Sequence, residues 1–359
     1  MADPRPVVHI LPAEPFGGLQ ALVIELARNQ RKAGRSVEIV LLGPSDRVES
    51  RCIKTGIEPI VLAGPKFGRM IALAHIVRER DSAILHSHCE PIWASLVLAL
   101  CGPRWIVHLH VYALQKSVRD RIGNLLRRRC AHRFVAISQS VAGSFLNMGL
   151  VTAKRLGTVH NGLDFEALPK RPERDATKES FTIAFIGRAV REKGLFDFVE
   201  AAALLRNEPG LDFVIAGEGD DLPDARDLIA AYGLDDRISV LGFVEDVGAL
   251  WRKVDILLML STREPFGLVI LEAIGSGVAV IGYDIPSGGS EIMAAIPGCQ
   301  MVTAFSIEEL ATAIRTAARN RGTLAAAVAT GRSVIEAEFS LDRMVEGLEL
   351  EYKHLSLPT

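Results

Sequence analysis

Two acidic residues separated by seven others give this chain its clearest chemical signature: Glu264 and Glu272, in the stretch EPFGLVILE. Glu264 follows the apolar strand pattern VDILLML and so falls on the loop leaving a buried strand. Gly267 then opens a helical pattern in which Glu272 stands five residues on. At ~1.5 Å rise per residue, the two carboxylates reach one mouth at different depths. Glu272 is flanked by Leu271, Ala273 and Ile274, and a carboxylate in apolar surroundings needs a hydrogen-bonded partner; a ribose diol is a natural one. The glycine turns at 17–18 and 217–219 are commonplace taken singly, but they allow backbone to approach a ligand closely. His86 with His88, and His108 with His110, alternate so that each pair shares one face of a strand, either as core or as the lining of a site. No metal is expected at them.

The elements that would position these residues repeat as β-branched runs followed by helical patterns, the signature of βα units in a parallel sheet. Strands are predicted at 7–11, 37–42, 84–87, 105–110 and 134–138, with helices at 19–33 and 91–101. After the polar, proline-bearing segment 168–180, which reads as a domain boundary, the alternation restarts with strands at 182–186, 213–216, 239–241, 256–260 and 278–281. Residues 340–355 form one amphipathic helix, with Leu341, Met344, Val345 and Leu348 on a face. A length of 359 residues suits two domains. The fold class is therefore α/β, with two Rossmann-like, doubly wound domains and ligand at the carboxyl ends of their strands.

Charge is divided unevenly. Residues 1–165 carry 22 Lys and Arg against 12 Asp and Glu, and the remainder of the chain is acidic by a similar margin. The basic half either complements the acidic one or faces anionic lipid or an acidic acceptor. Arg119, Arg121, Arg127, Arg128, Arg129 and Arg133 form its densest cluster, read either as a solvated helix face or as a membrane contact. Five scattered cysteines without a CxxC pair read as small buried residues in a reducing compartment. The N-terminal residues lack the pattern of a secretory signal. The strongest apolar run, 92–101, is about half a bilayer span. A cytoplasmic protein, at most attached to the inner face of the membrane, is expected.

Several further segments share this order and spacing: FGGLQ (16–20), FVAISQS (134–140), VHNGLD (159–164), IGRAVREKG (186–194) and AGEGD (216–220), ahead of EPFGLVILEAIGSGVAVI (264–281). Together they resemble the motifs of retaining GT-B glycosyltransferases of the GT4 type, which include enzymes transferring from sugar nucleotides in sucrose, mannose and N-acetylglucosamine chemistry. The resemblance implies a GT-B fold whose two domains face each other across a cleft. Residues 1–165 would bind the acceptor and 166–339 the nucleotide sugar, with 340–359 a terminal helix able to return to the first domain. It further implies that Arg188 and Lys193 grip the donor diphosphate, where cations stabilise charge on the leaving group. Glu272 would hold the ribose and Glu264 the sugar hydroxyls. The Phe266, Gly267 and Leu268 amides would meet phosphate oxygens at a helix N-terminus. Gly17, Gly18, Gly187, Gly217 and Glu218 would complete the donor site, and His110 would face the sugar. Val111 stands where relatives often carry aspartate, and Ala279 where many carry proline.

The implied reaction is front-face transfer from a UDP- or GDP-sugar to an acceptor hydroxyl, with retention, in polysaccharide or glycolipid synthesis. No enzyme nucleophile, cofactor or metal is required, since two protein cations replace a divalent ion. The expected partners are a nucleotide-sugar donor, a carbohydrate or lipid-linked acceptor and peripheral anionic membrane, with no nucleic acid. A non-catalytic nucleotide-sugar-binding subunit is the alternative. A Rossmann dehydrogenase is set aside because no GxGxxG follows Ile10 or Ile186.

Overall fold

Continuous Val, Ile and Leu runs become strands here because a parallel sheet covered on both faces hides every side chain along them. The computed structural model describes residues 5–102, 104–115, 117–169 and 180–356. They divide into two units, one running to Leu163 and resuming at Phe339, the other Asp164–Glu338. The predicted boundary at 168–180 lies mostly outside the described residues, which omit 170–179.

The first unit holds seven parallel strands: β1 (Val7–Leu11), β2 (Val37–Leu41), β3 (Ile60–Val61), β4 (Ile84–His88), β5 (Trp105–Leu109), β6 (Arg133–Ala136) and β7 (Leu156–Thr158), in the order β3-β2-β1-β4-β5-β6-β7. The second holds six: β8 (Phe181–Ile186), β9 (Leu211–Ala216), β10 (Ile238–Gly242), β11 (Ile256–Met259), β12 (Ala279–Asp284) and β13 (Cys299–Thr303), in the order β10-β9-β8-β11-β12-β13. In both, the winding reverses beside the first strand, between β1 and β4 and between β8 and β11. Doubly wound sheets take their ligands at that point, beyond the carboxyl ends of the strands.

The strand pattern read from sequence differs mainly at its ends. His110 and Ser138 lie just beyond β5 and β6, and β12 runs on to Asp284. Three strands had no pattern to announce them. β3 has two residues, β7 contains Gly157, and β13, CQMVT, is largely unburied. All three lie at sheet edges, held by the ladder of a single neighbour. The terminal helix Leu341–Lys353 belongs to the first unit and lies on helix Gly18–Lys32: Asn29 Nδ2 donates to Asp342 Oδ1 at 2.9 Å, and Gln30 Nε2 donates to the Tyr352 hydroxyl at 3.1 Å. Its apolar face, Leu341, Met344, Val345 and Leu348, is buried. Among the cysteines only Cys52 is buried; Cys89 is exposed, against the expectation of five small core residues. Among the described residues, no helix is long and apolar enough to cross a membrane.

Candidate functional site

In the second unit, two loops beyond the reversal point are laced together. After β8 the chain makes a short turn at Arg191–Lys193, closed by Gly194. After β11 it runs through Ser261 to Gly267. The Thr262 amide donates to the Glu192 carbonyl at 2.8 Å, binding one loop to the other. Lys193 Nζ thereby meets Glu264 Oε2 at 2.7 Å, with side chains 22% and 12% exposed. That ion pair is sheltered enough to hold its geometry and open enough to be displaced by a ligand's charge. Ser261 Oγ adds a longer contact to the same carboxylate oxygen at 3.4 Å.

Gly267 adopts φ 93°, where a Cβ would also press on Ile270 Cδ1 at 2.7 Å, and helix Leu268–Gly275 begins directly after it. Only glycine makes this turn without strain. Phe266 is buried, so its backbone rather than its ring is what this loop offers a ligand. Glu272 lies half-buried in the helix, and burial raises its carboxyl pKa above the ordinary value. A group that donates to the Glu272 carboxylate would offset this desolvation.

The ends of β8, β9 and β10 close the floor. The Gly217 amide donates to the Gly242 carbonyl at 2.7 Å, and the Ala189 amide to the Glu218 carbonyl at 2.8 Å. Gly217 has φ 142°, and a Cβ there would fall 1.7 Å from the Gly187 oxygen, so the two turns touch through bare backbone. The Glu218 side chain is exposed. Arg188 is not drawn to Lys193 or Glu264; it is 67% exposed and pairs with Glu192 at 2.8 Å. Such an exposed pair is worth ~0.3–0.5 kcal/mol and costs little to open. The sequence reading missed the first turn of helix Gly288–Ala295. The Gly289 amide donates to the Glu264 carbonyl at 3.3 Å, and a Cβ on Gly289 would press on the Glu264 side chain. Its SGGS run looks like an ordinary turn.

The remaining expected site residues, Gly17, Gly18 and His110, lie in the first unit. Gly17 caps helix Gly18–Lys32, and its amide donates to Gln20 Oε1 at 3.0 Å. His110 ends a chain of buried side chains. Its Nε2 pairs with His88 Nδ1 at 2.9 Å, His88 Nε2 with His9 Nδ1 at 2.9 Å, and His9 Nε2 with Gln30 Oε1 at 2.7 Å. Gln30 reaches the Tyr352 hydroxyl, which pairs with His86 Nδ1 at 2.8 Å, and His86 Nε2 pairs with His108 Nδ1 at 3.1 Å. Burial lowers every one of these imidazole pKa values, to about 4 for His9 and about 3 for His110.

With the Gln30 carbonyl facing His9 and its amide nitrogen facing Tyr352, neutral rings on this wire take one consistent set of protons. The Gln30 carbonyl only accepts, so His9 carries its proton on Nε2 and accepts at Nδ1; His88 and His110 follow in the same sense. Tyr352, receiving from the Gln30 amide, must donate to His86 Nδ1, and His86 then donates from Nε2. His108 is left with a proton on Nε2, an atom that is buried without a partner among the described residues. His9, His86 and His88, and likewise His88, His108 and His110, bring nitrogens within 4.8 Å of one another, close enough to hold a metal ion. Most of those nitrogens are already engaged with one another. Gln30 and Tyr352 were missed because they stand among charged neighbours near helix ends, and His9 because it sits singly in an apolar strand; only the fold brings them together.

Comparison with known proteins agrees with this architecture. The family Glycosyltransferase Family 4 matches residues 16–167, and Glycosyl transferases group 1 matches 168–334. A GDP-mannose:cellobiosyl-diphosphopolyprenol alpha-mannosyltransferase of Xanthomonas oryzae is 28% identical over 305 residues, 78% of this chain and 79% of that protein. An alpha-D-kanosaminyltransferase of Streptomyces kanamyceticus is 28% identical over 66% of this chain and 68% of its own. A crystal structure of Anabaena HepE in complex with UDP superposes with a TM-score of 0.83, covering 98% of this chain and all of that one at 18% identity.

Proposed function

The chain belongs to the GT4-type, group 1 glycosyltransferases of GT-B fold, and from that premise we propose that it transfers a hexosyl group from a UDP- or GDP-sugar to an acceptor hydroxyl with retention of configuration. One observation carries the reading: the Lys193–Glu264 pair stands beside a glycine-opened helix whose Glu272 has its carboxyl pKa raised by burial. A donor diphosphate takes Lys193 from Glu264, and Arg188 swings from Glu192 to the same phosphates. Both cations stabilise the charge that gathers there as the sugar leaves. Glu264, released, accepts from the sugar hydroxyls, and Glu272 accepts from the ribose. The Phe266–Leu268 backbone and the Gly187 and Gly217 turns complete the donor cradle. The acceptor oxygen attacks from the side the diphosphate leaves, and a phosphate oxygen takes its proton. With two protein cations at the diphosphate, neither a divalent ion nor another cofactor is required. Gly17, Gly18 and His110 serve from the first unit, which takes the acceptor.

Synthesis of a polysaccharide or glycolipid on the inner face of the membrane fits the surface of the first unit. Helix Ile92–Cys101 packs between helices Lys66–Glu79 and Val118–Cys130. This layer exposes Phe67, Ile71, Leu100, Val118, Ile122 and Leu125. Arg119, Arg121, Arg128 and Arg129 are exposed among them, while Arg127 and Arg133 leave the expected cluster to bind Glu90 and Glu351. Apolar side chains flanked by arginine suit an anionic lipid surface. Flotation with vesicles containing phosphatidylglycerol tests the attachment: the protein is expected to float at low salt and less so at high salt, and recovery wholly in the soluble fraction at both would refute it. For the reaction, incubation with UDP- and GDP-sugars and an acceptor panel is expected to release nucleoside diphosphate and yield the anomer of the donor. Binding without turnover on any acceptor would instead mark a non-catalytic subunit.

A further inference from the structure

An aspartate at the threshold of a helix ordinarily caps it, the side chain accepting from an amide of the first turn. In the second unit Asp246 does so, accepting from the Ala249 amide at 3.0 Å, and Ser287 and Ser306 do the same for their own helices. Asp221, which stands before helix Leu222–Ala231 beyond β9, makes no such bond. Pro223 removes one of the amides a cap would serve. The Asp221 backbone, at φ −92° and ψ 3°, also departs from the extended conformation of a capping residue. Its carboxylate is engaged elsewhere: Oδ2 accepts from the Arg191 amide at 2.6 Å, 30 positions upstream.

Arg191 opens the turn Arg191–Lys193, whose last residue meets Glu264. Two loops hold this turn. From the β9 side, the Asp221 carboxylate takes the Arg191 amide, and the Asp221 amide donates to the Ala189 carbonyl at 3.2 Å. That approach depends on Gly219, where a Cβ would fall 2.4 Å from the Ala189 oxygen. From the β11 side, the Thr262 amide and hydroxyl both donate to the Glu192 carbonyl, at 2.8 and 3.2 Å. The Arg191 guanidinium is itself engaged over the Phe196 ring, 4.2 Å from its centre, and Asp221 holds the backbone. A hydrogen bond accepted by a carboxylate is roughly twice as strong as a neutral one, which suits it to fixing a three-residue turn.

We propose that Asp221 is a positioning residue of the donor site: its carboxylate, withdrawn from its own helix, fixes the Arg191–Lys193 turn so that Lys193 meets the diphosphate. The inference rests on the nucleotide-sugar reading for the diphosphate. A turn freed from this hold presents Lys193 correctly for only part of the time, and apparent affinity falls by that fraction. Three replacements separate the hold from the cap. Asp221→Asn keeps an oxygen able to accept from Arg191, Asp221→Ser offers a good helix cap one bond too short to reach it, and Asp221→Ala offers neither. UDP and GDP affinities, measured by calorimetry on the full chain, are expected to fall about tenfold for the Ser and Ala proteins and to stay within about twofold for Asn. Hydrogen exchange at the Arg191 amide is expected to quicken in the first two alone. Asp221→Ser, whose new cap offsets the lost bond, is expected to melt with the unaltered protein. Undiminished nucleotide binding by the Ser or Ala protein, an Asn protein no better than Ala, unchanged exchange at Arg191, or weakened binding that merely tracks melting temperature overturns the proposal. Absence of UDP and GDP binding by the unaltered protein would overturn the nucleotide-sugar reading instead.

Discussion

At the reversal point of the first sheet, His9 on β1 stands in register with His86 on β4; at the same point of the second, Ile183 and Ala184 on β8 stand beside Ile256 and Leu257 on β11. The winding is shared and the burial is equally complete, but one sheet hides a wire of imidazoles where the other hides hydrocarbon. All nine histidines fall outside Asp164–Glu338. The difference shows two ways of equipping one architecture. The second unit keeps its strands inert and puts Lys193, Glu264 and Gly267 on the loops beyond them. The first carries polar groups into the sheet, where nearly all are satisfied by one another and one, His108 Nε2, is buried without a partner among the described residues.

The largest expected consequence is a difference in acid stability. A buried imidazole with a lowered pKa binds no proton while the unfolded chain does, so stability is full above pH 6.5 and falls as pH drops toward the folded values, about 4 for His9 and about 3 for His110. Each such group contributes a slope of about 1.4 kcal/mol per pH unit in that window. Hydrogen exchange followed from pH 7 to pH 5 should therefore show protection lost in β1, β4 and β5 well before β8 and β11. Equal losses in both sheets would mean the histidines are not buried neutral.

Gly217→Ala should come next, costing ~3 kcal/mol or more, because the new Cβ cannot coexist with the Gly187 oxygen 1.7 Å away. Thermal unfolding read separately in each unit should show the damage confined to the second, together with lost nucleotide binding. Gln30→Leu strikes the other side of the comparison. It strands a buried His9 proton and removes the donor to Tyr352, for an expected ~1–3 kcal/mol in the first unit, with nucleotide affinity unchanged. Correlation spectra of ¹⁵N-labelled histidine in the unaltered protein should find His9, His86, His88, His108 and His110 all protonated at Nε2. The smallest effect belongs to Glu272→Gln, which removes a half-buried carboxylate and should leave stability level or slightly raised. Nucleoside diphosphate affinity, measured by calorimetry, should fall about tenfold with it.

Much of this was legible before folding. The two α/β units, the loop position of Glu264 and the helical position of Glu272 follow from hydrophobic period and from glycine, both local signals. The β3, β7 and β13 edges were not legible, since a two-residue or half-exposed strand exists only through its neighbour's hydrogen bonds. The Arg127–Glu90 pair was hidden for a related reason: its members lie 37 positions apart in sequence, and Arg127 is one arginine in a row of three. Alternating histidines showed that some strands carried polar pairs on one face, but their partners Gln30 and Tyr352 stand among charged neighbours in amphipathic helices, where one more polar residue signals nothing. Arg188 and Lys193 lie in one short motif and read as a matched pair; folded, they have separate acidic partners.

The central claim is that the Lys193–Glu264 pair is a donor site held ready for a diphosphate. Its most direct test is steady-state transfer by Lys193→Ala beside the unaltered protein, using the best UDP- or GDP-sugar and acceptor found. Removal of a cation acting on leaving-group charge should lower kcat by about 10²–10³-fold, while circular dichroism and the acid profile of the first unit stay as they were. An unchanged kcat in a folded Lys193→Ala protein would contradict the account.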